Sequence, residues 1–581
     1  MDNPPRERDT SAGPAASADT SPGTSNLVGL FDGTPPENLE AAPPPGSMAP
    51  AAARFDMFIV GGGINGAGIA RDAAGRGLSV ALCERDDFGG ATSSASTKLI
   101  HGGLRYLEHY EFRLVAQALA EREILLGVAP HLIHPLRFIM PHARDLRPAW
   151  LIRLGLFLYD RLGGPSSLPR SQSVQLANTV WGEGLKPEYR KGFMYFDASV
   201  DDARLVILNL LSAQQLGATI LARTRFVTAE RVKDEGGKDD AESGYWRITV
   251  EDGHSGERRQ IEARMLVNAS GPWVGQVAAT LGQDPGRAQV RLVKGSHIVV
   301  PRLFEGEHAY IMQDAGKRVI FMIPFQRDFT LIGTTDTPVD GLDSLEQAPA
   351  ISTQEVAYLC QTASHYARKN IDPDMVVWTY SGVRPLYDNG VDDPSAVTRD
   401  YTLLLEADAA IPQLSIYGGK ITTYRRLAEA VLDKLGPWLQ AKSGPWTASA
   451  PLPGAEFGPR GGAGCREQLL QRYPQLPPDL LEDLFRRHGT LAFTVLGQAV
   501  TPADLGQNFG GGLHEQEVHY LIDREWASQA DDILWRRTKA GLHMTPGQRQ
   551  DFTVWMRKNT PIPTPSPWAG AVAGNVLPDR S

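Results

Sequence analysis

At 581 residues the chain is longer than one hydrophobic core sustains, since cores stop growing near ~250–300 residues, and more than one domain is expected. The composition is that of a globular protein, 42% hydrophobic and 22% charged with a formal net charge of −9, and this acidic balance excludes nucleic acid as the main partner, because binding a phosphate backbone needs a basic field. Cys83, Cys360 and Cys465 lie far apart with neither CxxC nor zinc spacing, which points to a reducing compartment without a structural metal. No run approaches the ~20 apolar residues of a membrane-spanning helix, so a soluble or peripheral protein is expected.

Residues 1–53 are rich in Pro, Ala, Ser, Gly and Thr and nearly lack large apolar side chains. Such a leader cannot offset its ordering entropy and is expected to be disordered. It has neither the apolar core of a signal peptide nor the acid-poor character of a transit peptide. Met48, just ahead of the first strand, leaves a misassigned start codon open. From Phe55 the pattern changes: "FDMFIV" reads as a strand, "GGGINGAGIARDAAGRG" as a helix and "LSVALCER" as a second strand, a βαβ unit with a parallel pair. Residues 147–162, "RPAWLIRLGLFLYDRL", are apolar enough to touch lipid, but their short length favours packing in the core. Further strands are expected at "RMLVNAS", "VRLVKGSHIVVP", "VIFMIP", "FTLIGTT" and "QLSIYGG", with a helix at "DDARLVILNLLSAQQLG", where Asp201 or Asp202 serves as the cap. This α/β or α+β body spans 54–440. A Gly/Pro-rich linker follows at 441–465, then a helical domain at 466–560 and a flexible tail at 561–581. In that domain, 515–542 read as two helices, the second ended by Gly541 and Pro546. Trp535, Arg536, Arg537 and Lys539 are expected on a solvated face.

The chemistry begins with Gly61, Gly63 and Gly66, a GxGxxG between strand and helix, and with Glu84 at the end of the next strand, 84 − 61 = 23 residues on. In a dinucleotide site the first glycine makes the tight turn and the second lets backbone amides approach a pyrophosphate at the positive helix end. The third, with Ala67, Ala70 and Ala73, lets the helix lie close on the sheet. A terminal carboxylate accepts hydrogen bonds from ribose hydroxyls and disfavours a 2′-phosphate. No second GxGxxG follows a strand, so either a nicotinamide cofactor reacts directly or a flavin passes electrons to something other than a dinucleotide. Two stretches favour flavin, as FAD. "GATSSASTK" offers Thr92, Ser93 and Ser94 to a long polar cofactor, and "LVNASGPWV" ends an apolar strand at Gly271, a second wall.

With these motifs the sequence resembles the flavin-dependent glycerol-3-phosphate dehydrogenases, the bacterial aerobic enzymes above all. The resemblance runs through "ATSSASTKLIHGGLRYLEHYEFRLV", "YFDASVDDARLV", "KGSHIVVP", "IGTTD", "YSGVRPL", "TRDYTL" and "GGKITTYRRLAE", from about Phe55 to Leu435. It implies a fold of α/β and α+β class: a Rossmann-like FAD-binding domain interleaved with an antiparallel-sheet substrate domain, plus a C-terminal helical domain. It implies oxidation of glycerol 3-phosphate with electrons passed to membrane quinone. The expected place is cytoplasmic, peripheral on the inner face of the cell membrane, and a homodimer is compatible with it.

By the same resemblance, Gly102 and Gly103 let the backbone pass close to the flavin while Arg105 and Tyr106 reach the substrate. His101 is either a flavin-side contact or a packed imidazole. Arg384 and Arg399 face the substrate, as arginines suit phosphate, although either could pair with an acid such as Asp388 or Asp400. Lys420 follows Gly418 and Gly419 at a helix start. The positive helix end near Thr422 suits the negative charge of a reduced flavin, and plain N-capping by Thr422 and Thr423 is the alternative. His297 is the candidate general base. It alternates with Val293 and Val299 on one strand face, so a buried core histidine is its rival. An oxygen-using glycerophosphate oxidase shares these motifs. The helical C-terminal domain and the lack of a large insertion between His297 and Arg384 favour the dehydrogenase. A non-enzymatic flavin-binding redox sensor is the reading outside enzymes.

Overall fold

Strands that are apolar on both faces belong in the middle of a parallel sheet covered on two sides. Phe55–Val60, Val80–Cys83 and the second half of Arg258–Asn268 have that pattern and are buried almost throughout. In the computed structural model, which describes residues 54–143, 147–233, 244–283, 290–314, 316, 318–339, 348–387, 400–406 and 411–560, they form the centre of an eight-stranded sheet. Its order is Thr402–Glu406, Gln413–Tyr417, Arg258–Asn268, Phe55–Val60, Val80–Cys83, Thr219–Leu221, and Thr224–Lys233 and Gly244–Asp252 extend it from Arg258–Asn268. The five strands from Gln413–Tyr417 to Thr219–Leu221 run parallel. Helix Ile64–Gly75 lies against helices Asp202–Gln215 and Tyr424–Leu435. Gly68 permits the second contact, since a Cβ there would stand 2.7 Å from the Tyr424 ring. Asp201 caps Asp202–Gln215 by accepting from the Arg204 amide at 3.1 Å.

The second sheet has ten strands, antiparallel except where Ala309–Gln313 runs parallel to Ile133–Pro141. Its long strand Val290–Pro301 pairs with Phe329–Gly333 on one side and Trp378–Tyr387 on the other. One face carries Ile298, Val300 and Ile332 against helix Thr353–Tyr366. The opposite face, with Val299, Leu331 and Trp378, shares its core with Leu521, Ile533, Trp535 and Phe552 of the C-terminal region. The two sheets draw their strands from alternating parts of the chain, the interleaving expected for this fold.

Four expectations are overturned. Glu515–Glu525 is a helix, but the chain then makes a π-helical turn, Asp532–Arg537, and a short 3-10 turn, Ala540–Leu542. Pro546 opens the next helix, Pro546–Asn559, instead of ending one, because a proline in the first turn has no amide to leave unbonded. Trp535, Arg536, Arg537 and Lys539 are buried. Asp87 and Asp532 pair with the two arginines, and Asp201 pairs with Lys539, so the supposed solvated face is an interface with the cofactor sheet. Helix Ala149–Leu162 buries only Leu156 and Tyr159 fully. Trp150 is 68% exposed and Phe157 47%, and Leu151, Leu154 and Leu158 are exposed beside them. Its apolar residues occupy more than one face, and the core takes just one. The linker also ends earlier than 465, since helix Gly461–Arg472 begins within it. The leader 1–53 and the tail 561–581 lie outside the described residues.

Candidate active site

The cofactor end of the site is built by close backbone approach. Gly61 turns at φ +108°, and a Cβ there would come within 2.6 Å of the Ala269 carbonyl oxygen. A Cβ on Gly66 would stand 2.0 Å from the Gly61 oxygen. Only glycine fits either place, and the pair presses the start of helix Ile64–Gly75 onto the end of its strand. Gly63 and Asn65 then reach a cavity of about 690 Å³ between the two sheets. The Ser93 hydroxyl accepts from the Ile64 amide at 3.0 Å, and Thr92 donates to the Val383 carbonyl at 2.6 Å, which ties this turn to both halves. Gly271, Gly419 and Thr422 also line the cavity, with Gly271 at φ +58° and Gly419 at +100°.

An elongated dinucleotide fits these residues. The buried Oδ1 of Asn65 has no partner among the described residues and faces a wall of small residues where a cofactor would supply one. Thr422 accepts from the His101 amide at 3.3 Å. Neither it nor Thr423 makes a side-chain capping bond, so the capping alternative is not what the hydroxyls do. Five expected cofactor residues, Gly61, Gly66, Glu84, Ser94 and Gly102, are not on the cavity wall. Ser94 is buried off the cavity, and Gly102 is backed by Leu119 and the Tyr159 hydroxyl, each within 2.7 Å of where a Cβ would stand. Gly102 is therefore small for packing, whereas Gly103 and His101 are on the cavity wall.

Glu84 ends the second strand half-buried. Its carboxylate accepts from the Gly62 amide at 2.8 Å and the Asp86 amide at 3.0 Å. Burial, and then the charge of Asp86, push its pKa up to about 7. Ribose hydroxyls donate best to the ionised form. FAD should therefore bind the apoprotein more weakly as pH falls through 7, by up to about tenfold one unit below. Equilibrium quenching of FAD fluorescence at pH 6 and pH 8 measures this, and equal affinities at the two would remove Glu84 from the ribose.

The far end of the cavity is cationic. Arg105 stands in the wall half-buried and makes no ion pair among the described residues. Lys420 places Nζ 3.8 Å from the centre of the Tyr106 ring. Arg384 is paired with Asp336, and its Nη2 donates to Thr334 Oγ1 at 3.4 Å. Arg399 and Asp388 lie outside the described residues.

His297 sits between these two ends, in register with Tyr380 on one neighbouring strand and Gly333 on the other. A Cβ on Gly333 would meet the imidazole at 2.0 Å, so that glycine makes the ring's place. Nε2 lies 3.0 Å from Thr97 Oγ1, and Nδ1 has no partner among the described residues. Burial, then the charges of Arg384 and Lys98, hold its pKa well below 6.5, so the ring is neutral at working pH and able to take a proton. His297 is thus both buried and on the cavity wall.

Thr97, Asp336, Asn65 and Tyr380 are site residues that the sequence reading missed. For Tyr380 a signal was present, since Trp378, Tyr380, Gly382 and Arg384 alternate along one strand and so share a face.

Two family descriptions match the chain: FAD dependent oxidoreductase over residues 56–409, and the C-terminal domain of alpha-glycerophosphate oxidase over 445–549. A glycerol-3-phosphate dehydrogenase of Pseudomonas aeruginosa is 48% identical over 88% of this chain and 97% of its own length. A D-erythritol 1-phosphate dehydrogenase of Brucella abortus is 47% identical over 86% of this chain and 97% of its own. The crystal structure of a glycerol-3-phosphate dehydrogenase from Bacillus halodurans complexed with FAD shares the fold, with a TM-score of 0.63 at 24% identity over 87% of this chain and 94% of that one.

Proposed function

Because the chain belongs to the FAD-dependent oxidoreductase family, with a C-terminal domain of the alpha-glycerophosphate oxidase type, we propose that it oxidises sn-glycerol 3-phosphate to dihydroxyacetone phosphate and delivers the electrons to membrane quinone. FAD is its cofactor; Gly61, Gly63, Gly66, Glu84, Ser93, Gly271, Gly419 and Thr422 would hold it, and it would supply the two-electron acceptor for the carbinol.

One observation carries the reading: Arg105, Lys420, Arg384 and the neutral His297 line a single cavity that also receives the glycine-rich helix start. A phosphate dianion needs convergent cations. Arg105, without a carboxylate of its own among the described residues, is placed to bond it in bidentate fashion, with Lys420 and Tyr106 beside it. Arg384, held by Asp336, orients the polyol oxygens. With Nε2–H of His297 donating to Thr97, the Nδ1 lone pair takes the C2 hydroxyl proton. The buried setting keeps water from competing for that proton.

The lipid side of the proposal rests on helix Ala149–Leu162. Leu151, Leu154 and Leu158 belong to both the exposed apolar face and the cavity wall, as does Phe112. A lipophilic acceptor would thus reach the site from a bilayer surface. Among the described residues no helix is long and apolar enough to cross a membrane.

Anaerobic titration of the holoprotein with glycerol 3-phosphate should bleach the flavin absorbance, and a flavin that stays oxidised would leave the redox-sensor reading. D-erythritol 1-phosphate belongs in the same titration, because the Brucella relative is about as similar as the Pseudomonas one, and the larger kcat/KM assigns the substrate. Rapid reduction of a quinone analogue without peroxide release in aerated buffer is expected, and the reverse result would make the protein an oxidase. Co-sedimentation with lipid vesicles should weaken in Phe157→Asp, and unchanged binding would move the docking face elsewhere.

A further inference from the structure

The π-helical turn at Asp532–Arg537 is connected to the candidate base through rings. Trp535 stacks on Trp378, with centroids 5.3 Å apart and planes 15° from parallel. Trp378 lies 4.9 Å from Tyr380 with the planes tilted by 43°, and Tyr380 stacks on the His297 imidazole at 4.7 Å and 15°. All four side chains are buried. Each ring also has its own seat. Gly541 makes room for Trp535, since a Cβ there would come within 2.8 Å of the indole. The Tyr380 hydroxyl donates to the Ser96 carbonyl at 2.9 Å, one residue from Thr97, which bonds His297.

We propose that Trp535, acting through Trp378 and Tyr380, is a positioning residue that sets the plane of the His297 imidazole, so that the C-terminal domain completes the active site. This rests on His297 being the base.

Volume alone does not ask for this arrangement. Aliphatic side chains fill cores without fixing a plane, whereas flat rings in offset stacks hold one another's orientation. Trp378 keeps Nε1 buried with no acceptor among the described residues, an unfavourable state that a phenylalanine or leucine there would avoid. The stack connects two regions far apart in the chain and ends on the one ring that must present a nitrogen to the substrate. A tilt or shift of that nitrogen lengthens the proton transfer. Misplacement on the order of 1 Å costs about a hundredfold in rate.

The test compares Trp535→Met, which fills space without a plane, with Trp535→Phe, which keeps one. Both are made in the holoenzyme, and flavin reduction is followed in anaerobic single turnover at saturating glycerol 3-phosphate. Trp535→Met should slow reduction by roughly ten- to a hundredfold with FAD content and substrate Kd unaltered. Trp535→Phe should recover most of the rate. Placed on His297→Asn, Trp535→Met should add no further loss, since no base is left to misplace. A wild-type rate in Trp535→Met overturns the proposal, as does a loss of bound FAD, which would make the ring structural. Multiplicative slowing in the double variant overturns it too. A normal rate in His297→Asn alone removes the base reading itself, whatever Trp535 does.

Discussion

His297→Asn is expected to slow flavin reduction by glycerol 3-phosphate about 10²–10⁴-fold, with FAD still bound and substrate affinity little changed. The imidazole lines the cavity beside Arg384 and Lys420, and asparagine keeps a polar group of similar reach without a basic nitrogen. The sign of the pH dependence follows from the environment. A base must be unprotonated to act, and burial with Arg384 and Lys98 nearby pulls the pKa well below 6.5. The rate constant for reduction in the wild type should therefore stay flat as pH falls through 6.5 and decline only further down, where the lowered pKa is reached. Stopped-flow absorbance under anaerobic conditions reads both effects. A reduction rate in His297→Asn within a few-fold of the wild type, or a wild-type acid limb centred at 6.5, would transfer the role to another group.

The largest effect on stability is expected at Asp87. Its carboxylate is buried and bonds both Arg536 and Arg537, with Arg537 Nη2 at 2.8 Å. Arg537 also donates to the Glu525 carbonyl at 2.7 Å, and Arg223 bonds Asp532 at 2.8 Å. Asp87→Ala would leave two guanidinium groups in low dielectric without their shared counter-charge. Breaking a buried ion pair in this way costs about 3–5 kcal/mol. The damage would also reach the cofactor, because the next residue, Phe88, packs on Gly62 and the Gly89 amide donates to the Gly62 carbonyl at 3.0 Å. Thermal unfolding followed by FAD release should show a clear fall in midpoint for Asp87→Ala. Removal of Glu251, which bonds Arg225 and Arg258 at the surface, should leave the midpoint nearly unchanged, because exposed ion pairs are screened by solvent. Equal midpoints for the two variants would show that the buried cluster contributes no more than a surface pair.

Much of the cofactor half was legible along the chain because it is local. A strand, a glycine turn, a helix and a second strand ending in Glu84 fall within thirty or so consecutive positions, and each glycine has a steric reason that a sequence can express. His297, Arg384 and Lys420 were legible for a different reason: they stand in motifs resembling a known family, and the cavity does bring them together. Gly102 shows the limit of that approach. It stands in the same motif as Gly103, yet it is small because Leu119 and Tyr159 are behind it.

Local order and residue chemistry determined the βαβ start, with its glycine turn and with Glu84 just past the second strand. The tertiary structure alone decided what the elements meet. Arg536 and Arg537 are charged side chains on a short turn, and charge usually means solvent. Their carboxylate, Asp87, is 449 and 450 residues away, so no window of sequence contains the partner that makes burial favourable. Helix Ala149–Leu162 is the converse, since apolar side chains usually mean a core and here several face outward. Periodicity states which residues share a face, but the free energy of burying that face depends on the surface brought against it, and that is a property of the folded chain.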